Sequence, residues 1–233
     1  MRYSLICLVG CIASSICLAQ PKTVEVPSKA LGKPVSLIIE GEISEKIAPT
    51  VGNFVQVYYE AFPKLLKNFE NPDRPAEHAV KLIFKRDMRV PAYCTGGTIS
   101  ISIEWIEKNP NDLGLLVHEL THVVQSYPRG APGWLVEGIA DYSRYKFSDE
   151  KNSGWKLPPL LGERNKYTDS YRVTARFLVW LDARHPGVVE KIHFNLQKRE
   201  YKQEDFKTLT GRDLEVLWEE CVRDLAKSNP KSK

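Results

Sequence analysis

The spacing of apolar and polar positions predicts strands early in the chain and helices later. Residues 35–40 (VSLIIE) and 80–84 (VKLIF) are strand candidates, and residues 98–103 (TISISI) alternate strictly between apolar and polar side chains. Because the strands come first instead of alternating with helices, the pattern indicates an α+β fold and not a series of βαβ units.

Apolar residues three and four apart predict the helices. In residues 51–69 they form one face of a long amphipathic helix, which Pro49 would open and Pro63 would kink. A second helix is expected after Asn109 and Pro110, which suit an N-cap and a first helical position. Further helical patterns cover residues 134–145, 170–184, 187–199 and 213–227.

The N-terminal residues have the pattern of a secretory signal peptide. Arg2 supplies a positive start, residues 5–18 are apolar, and Cys17-Leu18-Ala19 resembles a cleavage site. The apolar run is short for a membrane span, although an uncleaved anchor is the alternative. We therefore expect a secreted or periplasmic protein without stable membrane association after cleavage. The expected division is a signal peptide at 1–19, a leader at 20–34, one domain at 35–227 and a tail at 228–233.

Composition narrows the class of protein. The 233 residues are 42% hydrophobic and 27% charged, which suits one globular domain. A net charge of +4, without a basic run interleaved with aromatic residues, gives no reason to expect a nucleic-acid partner. The oligomeric state stays open. After signal cleavage Cys94 and Cys221 would remain, either as one disulfide or as two free thiols.

The sequence His118-Glu119-Leu120-Thr121-His122 carries the clearest chemical signal. Residues four apart lie on the same helix face, so both imidazoles can bind one metal ion. Glu119 can then reach a metal-bound water and act as general base. This pattern predicts a Zn²⁺ hydrolase, whereas a chance pair of helical histidines is the alternative.

A catalytic zinc needs a third protein ligand and an open position for water. Glu137 is the candidate, since it is an acid within a largely apolar helical stretch. Asp141, one turn later on the same face, could accept the remaining ring N–H of a ligand histidine. The alternative is a pair of solvent-facing carboxylates.

These motifs resemble those of known zinc peptidases. E-x-x-x-D after H-E-x-x-H is similar to the gluzincins, in which that glutamate is the third ligand. More narrowly, HELTHVVQ, GAPGWLVEGIADY, YRVTARFLVWLD and LTGRDLEVLW, in this order, resemble the basic secretory protein family over residues 35–227. The resemblance implies a zincin-like fold with a small N-terminal mixed sheet, an active-site helix and a helical C-terminal part. One departure is the short connection between His122 and Glu137, residues 123–136.

The resemblance implies a secreted endopeptidase that acts on proteins or peptides. Tyr171, which opens the third motif, is the expected oxyanion donor, and Tyr167, Arg172 and His185 are its rivals. Residues 98–103 are expected to be an edge strand that pairs with an extended substrate, the alternative being an internal strand. Two other functions stay open: a non-catalytic secreted binding protein, and a zinc hydrolase of a non-peptide amide.

Overall fold

The computed structural model describes residues 22–27, 34–73, 75–159, 161–162 and 164–228. The predicted signal peptide, part of the leader and nearly all of the tail therefore lie outside the described residues.

Five strands form one mixed sheet. They are β1 (Lys22–Pro27), β2 (Pro34–Gly41), β3 (Ala79–Lys85), β4 (Ala92–Thr95) and β5 (Thr98–Ser102). The spatial order is β1-β2-β3-β5-β4. The central strands β2, β3 and β5 are parallel, while β1 and β4 pair antiparallel at the two edges. Each of the three predicted strands is present, and β1 lies inside the segment that the sequence suggested was a leader.

The expectation that residues 98–103 form an edge strand is wrong. β5 pairs with β3 on one side and with β4 on the other, so β4 is the edge. The turn at Gly96, with φ of +60°, returns the chain directly from β4 into β5. Ile103 also leaves the strand, because the Ser102 hydroxyl accepts a hydrogen bond from Trp105 N and caps the next helix.

Eight helices account for most of the remaining described chain. They are α1 (Ala48–Phe69), α2 (Ile103–Lys108), α3 (Gly114–Gln125), α4 (Gly133–Phe147), α5 (Tyr171–Arg184), α6 (Val188–Lys198), α7 (Asp205–Thr210) and α8 (Leu214–Ser228). A 3₁₀ turn at Tyr167–Asp169 precedes α5. Pro49 lies at the start of α1, as predicted. Pro63 lies inside the helix, and the predicted kink there stays a prediction.

The helix that carries HELTH is at the centre of the molecule. α3 packs between α1 and α4, and α4 packs in turn against α5. Eleven of the twelve α3 residues are buried, so its position is fixed on several sides. This arrangement confirms the predicted α+β class and puts the motif where the sheet meets the helical part.

Two further expectations concern the cysteines and the membrane. Cys94 and Cys221 are free thiols, and burial raises the pKa of each to about 12. Of the two alternatives that the sequence left open, one disulfide or two free thiols, the structure has the free thiols. In the described part of the chain, none of the helices combines the length and apolarity of a membrane span.

Candidate metal centre

A cleft of about 1200 Å³ opens over α3 and α4. Its walls come from β4, from both of these helices, from the segment after α4 and from the start of α5. Of the residues singled out in the sequence, it contains His118, Glu119, His122, Glu137, Asp141, Tyr171 and Arg172. Nearly all of the residues predicted to bind the metal or to act in catalysis therefore line one cavity.

Three potential metal ligands converge in this cleft. His118 Nε2 lies 3.2 Å from His122 Nε2, and Glu137 Oε2 lies 3.3 Å and 3.6 Å from these two nitrogens. The ligand atoms of the three residues all fall within 4.8 Å of one another. The helical i,i+4 spacing brings the imidazoles together, and α4 brings the carboxylate to them.

The other nitrogen of each imidazole is already engaged. His118 Nδ1 lies 2.7 Å from Asp141 Oδ1, a buried carboxylate oxygen that can only accept. His122 Nδ1 lies 2.7 Å from Gln125 Oε1. If both Nδ1 atoms donate, the Nε2 atoms direct their lone pairs at each other and at Glu137.

This donor set fits a zinc ion. With the Nδ1 atoms as donors, the three facing atoms are all acceptors, and only a cation or an added proton relieves their repulsion. Two imidazoles and one carboxylate are a ligand combination that zinc accepts in hydrolases. The gathered residues therefore suit the metal that the sequence predicted.

The pKa values of the cluster in the absence of a metal also favour a cation at this site. Burial disfavours a charged His118, but its hydrogen bonds to Asp141 and Glu137 outweigh that and raise its pKa to about 9. Burial also opposes ionisation of Glu137, yet its hydrogen bonds to both histidines lower its pKa to about 2. The cluster thus strongly favours a positive charge at its centre.

Glu119 has a buried carboxylate oxygen without a hydrogen-bond partner in the described part of the chain. The residue is 5% exposed, and its Oε2 has no hydrogen-bond partner among the described residues. Burial raises its pKa, although the two histidines counteract this. An unengaged carboxylate oxygen beside the ligand triangle can accept a proton from a reacting water.

Tyr171 lies over the candidate metal centre, and its backbone is strained. Its ring is stacked on that of His118, with centroids 6.1 Å apart and an interplanar angle of 11°. Its φ is +46°, and the residue is 54% exposed towards the cleft. Burial and the nearby Glu137 raise the pKa of its hydroxyl, so the hydroxyl remains a donor.

Among the three rivals for the donor role, Arg172 lines the cleft, whereas Tyr167 and His185 lie outside its walls. The Tyr167 hydroxyl donates to Glu215 Oε1 at 3.2 Å. His185 is the C-cap of α5, and its backbone N–H donates to Leu181 O. This leaves Tyr171 and Arg172 as candidates.

Sequence reasoning missed a buried ion cluster at one end of the cleft. Arg144 donates to Asp112 Oδ1 at 2.5 Å and to Glu150 Oε1 at 2.6 Å. It thereby ties the end of α4 and the segment after it to the start of α3. A Cβ at Gly114 would collide with the Glu150 carboxylate and approach Arg144 Nε to 2.8 Å, so a larger residue there would displace this ion pair. The sequence signal for this cluster was limited to Arg144, a charged residue within the predicted helix 134–145.

Gln125 was also missed as a contributor to the site. Its side chain is buried beside His122, and its amide joins α3 to α4. The i,i+3 spacing from His122 in HELTHVVQ put it on the correct helix face. Its second contact, in α4, could not be read from that spacing.

A family model described as a peptidase of plants and bacteria matches residues 44–221. The chain belongs to this family. It is the basic secretory protein family, as the ordered motifs suggested, and the matched range includes the whole metal centre. No curated protein sequence matches the chain significantly.

Among the solved structures that match the chain are three bacterial proteins. Aminopeptidase A of Legionella pneumophila, in complex with aspartic acid, shares 13% identity over 85% of this chain, with a TM-score of 0.62. An M1 zinc metallopeptidase from Deinococcus radiodurans shares 14% over 87% (TM-score 0.49), and an aminopeptidase N family protein from Idiomarina loihiensis shares 10% over 86% (0.48).

The basic secretory protein chain is much shorter than these relatives in structure. It spans 27% of the Legionella chain and 51% and 46% of the other two. The likeness to the Legionella enzyme therefore shows a shared fold over part of a larger protein.

Proposed function

We propose that this protein is a secreted zinc-dependent endopeptidase. The observation that carries the proposal is the convergence of His118, His122 and Glu137 beside the unpartnered Oε2 of Glu119. These three residues would hold the metal, and the predicted signal peptide supports export. Membership of a peptidase family supports peptide bonds as the target.

The metal, when bound, supplies Lewis acidity towards water and towards the scissile carbonyl. Glu119 accepts the proton of the attacking water on its free oxygen and later returns it to the leaving amine. Its raised pKa makes its protonated form accessible for that second transfer. An intact Glu119 also argues against a non-catalytic binding protein.

Tyr171 donates a hydrogen bond to the oxygen on which negative charge develops. Its stacking on His118 keeps the ring at the metal centre, and its raised pKa keeps the hydroxyl protonated. A donor of this kind stabilises the transition state more than the ground state.

Substrate binding is assigned to the free edge of β4. Ala92–Cys94 line the cleft, and within the described chain no strand pairs with the outer side of β4. An extended peptide can add to such an edge through main-chain hydrogen bonds. The cleft exceeds the roughly 300–1,000 Å³ of small-molecule pockets, which suits a chain that continues on both sides of the cut.

The test compares wild type with Glu119→Gln. We expect about one zinc per chain in both proteins by metal analysis. The variant should lose activity on a denatured protein substrate by roughly 10²–10⁴-fold, because it lacks the base. Glu60→Gln, on the exposed side of α1, is the matched control and should behave as wild type. Full activity in Glu119→Gln, or wild type without zinc, would overturn the proposal.

A further inference from the structure

Gln125 connects the two helices that carry the metal ligands. We propose that it is the positioning residue for His122: it fixes the tautomer and orientation of that imidazole and couples it to α4. The proposal rests on the proposed zinc site. Nothing in the function stated so far requires this residue.

The direction of the Gln125 amide follows from its second contact. Gln125 Nε2 donates to the carbonyl oxygen of Val136 at 2.8 Å, and a carbonyl can only accept. The amide nitrogen must therefore face Val136, which turns Oε1 towards His122. His122 Nδ1 must then carry the proton, and its Nε2 is left free for a metal.

Val136 directly precedes Glu137, so the same amide acts on both sides of the centre. One side chain thereby orients a histidine on α3 and holds the backbone next to the carboxylate on α4. Only seven residues, 126–132, lie between these helices. A short connection of this kind leaves few other ways to adjust the distance between the two ligands.

Gln125 is itself held from a third helix. Gln197 Nε2, on α6, donates to Val124 O at 3.0 Å and to Gln125 O at 3.1 Å. Both carbonyls lie in the last turn of α3, where no partner within the helix is available. Gln125 is 2% exposed, so no water competes freely for its amide. Gln197 thus holds the backbone at Gln125, while His122 and Val136 hold its side chain.

The two histidines differ in their supports. His118 has a buried carboxylate, Asp141, whereas His122 has a neutral amide. Hydrogen-bond partners of metal-bound histidines typically contribute 10–100-fold to metal affinity. We therefore expect a measurable part of zinc affinity to depend on Gln125.

The experiment measures zinc affinity by competition with a chelator at fixed pH, together with the melting temperature of the metal-free protein. Gln125→Met keeps the volume but has no donor and only the weak acceptor of its thioether sulfur, so its zinc affinity should fall 10–100-fold. Thr121→Val is the matched control: Thr121 is buried in the same helix, but its hydroxyl donates only to Val117 O. That variant should keep wild-type zinc affinity.

Gln125→Glu separates the two roles of the amide. A carboxylate still accepts from His122 but cannot donate to Val136, so zinc affinity should stay near wild type while the melting temperature falls. Wild-type affinity in Gln125→Met, or an equal loss in Gln125→Glu, would overturn the proposal. If Gln125→Met does not fold, Gln125→Ala, which also lacks both amide groups, takes its place, and the same loss of zinc affinity is expected. Absence of zinc from wild type would instead remove the proposed function, and this inference with it.

Discussion

Tyr171 keeps a backbone conformation that few residues with a side chain adopt. Its φ of +46° follows a φ of +63° at Ser170, and such strain costs about 1–3 kcal/mol per residue. The preceding turn is held by Thr174, whose hydroxyl donates to Tyr167 O at 2.6 Å. The fold thus stabilises a strained turn that brings the phenol ring over His118.

Replacing Tyr171 with Phe should lower kcat on a protein substrate by about 10²–10³-fold, the usual effect of removing an oxyanion donor. The ring, and with it the stacking on His118, is retained, so KM and zinc content should change little. Steady-state kinetics and metal analysis would test this.

Tyr167→Phe is the control for this prediction, because it removes a phenol hydroxyl that points away from the cleft. An unchanged kcat in Tyr171→Phe would exclude the donor role. Arg172, the other candidate in the cleft wall, would then be the next residue to replace.

At the scale of single residues, the sequence predicted the candidate site residues that are spaced by one helix turn. His118, Glu119 and His122 follow from the motif, and Glu137 with Asp141 follows from the same spacing rule and the family pattern. Gln125 and Arg144 act through partners on other segments. Such contacts depend on how helices pack, which one sequence does not contain.

The contact between α4 and α5 sets the width of the site on the Tyr171 side. Gly138 lies next to Glu137, and Thr174 of α5 packs directly against it. A Cβ at Gly138 would lie 2.7 Å from Thr174 Cβ and closer still to its methyl group. The missing side chain therefore allows Glu137, the proposed third ligand, and Tyr171 to lie in one compact site.

Gly138→Ala should destabilise the protein by about 1–3 kcal/mol through overpacking, although alanine is the better helix former. It should also lower kcat, because α5 and Tyr171 must move away from α4. Urea unfolding and kinetics would measure both effects.

Gly133→Ala provides the comparison on the same helix, since nothing lies within 4 Å of the added Cβ. That variant should keep wild-type activity and stability, or gain slightly in stability. Equal behaviour of the two variants would show that the close approach at Gly138 has no energetic importance.

Elements with a repeated pattern were predictable, whereas the short β4 and α2 were not. The periodic patterns of α1 and α3 extend over several turns, whereas β4 has only four residues and α2 has six. A strand of that length contains too few alternations to be recognised. β4 is a strand because it pairs with β5 across a tight turn. The edge of the sheet is therefore β4, and not β5 as the sequence predicted.

At the scale of the whole molecule, His193 is a buried histidine that does not line the candidate active-site cleft. Its Nε2 donates to Phe69 O at 2.8 Å, and the Tyr127 hydroxyl donates to its Nδ1 at 2.7 Å. Burial lowers its pKa to about 4, although the bond to Phe69 opposes this. The neutral imidazole is therefore part of the packing between α1 and α6.

This residue should make the folded state sensitive to acid. In the unfolded chain a histidine has a pKa of about 6.5, so it gains a proton on acidification before folded His193 does. The contribution of His193 to the free energy of unfolding should hence be greatest above pH 6.5 and fall by up to about 3 kcal/mol as pH drops to 4. Urea unfolding at several pH values would measure the slope.

His193→Gln should remove most of that slope, whatever its effect on stability at neutral pH. His185→Gln, at the end of α5, controls for the loss of a histidine elsewhere. A slope that persists unchanged in His193→Gln would assign the acid sensitivity to other groups.

The short connection between α3 and α4 also bears on how the protein folds. His118, His122 and Glu137 all come from one continuous stretch, and only fourteen residues, 123–136, separate the second histidine from the carboxylate. Closing so small a loop costs little chain entropy, and contacts between near neighbours form fast. The pair of helices with the proposed ligands can thus be assembled before β2 pairs with β3, because Ser36 and its partner Ala79 are far apart in the chain.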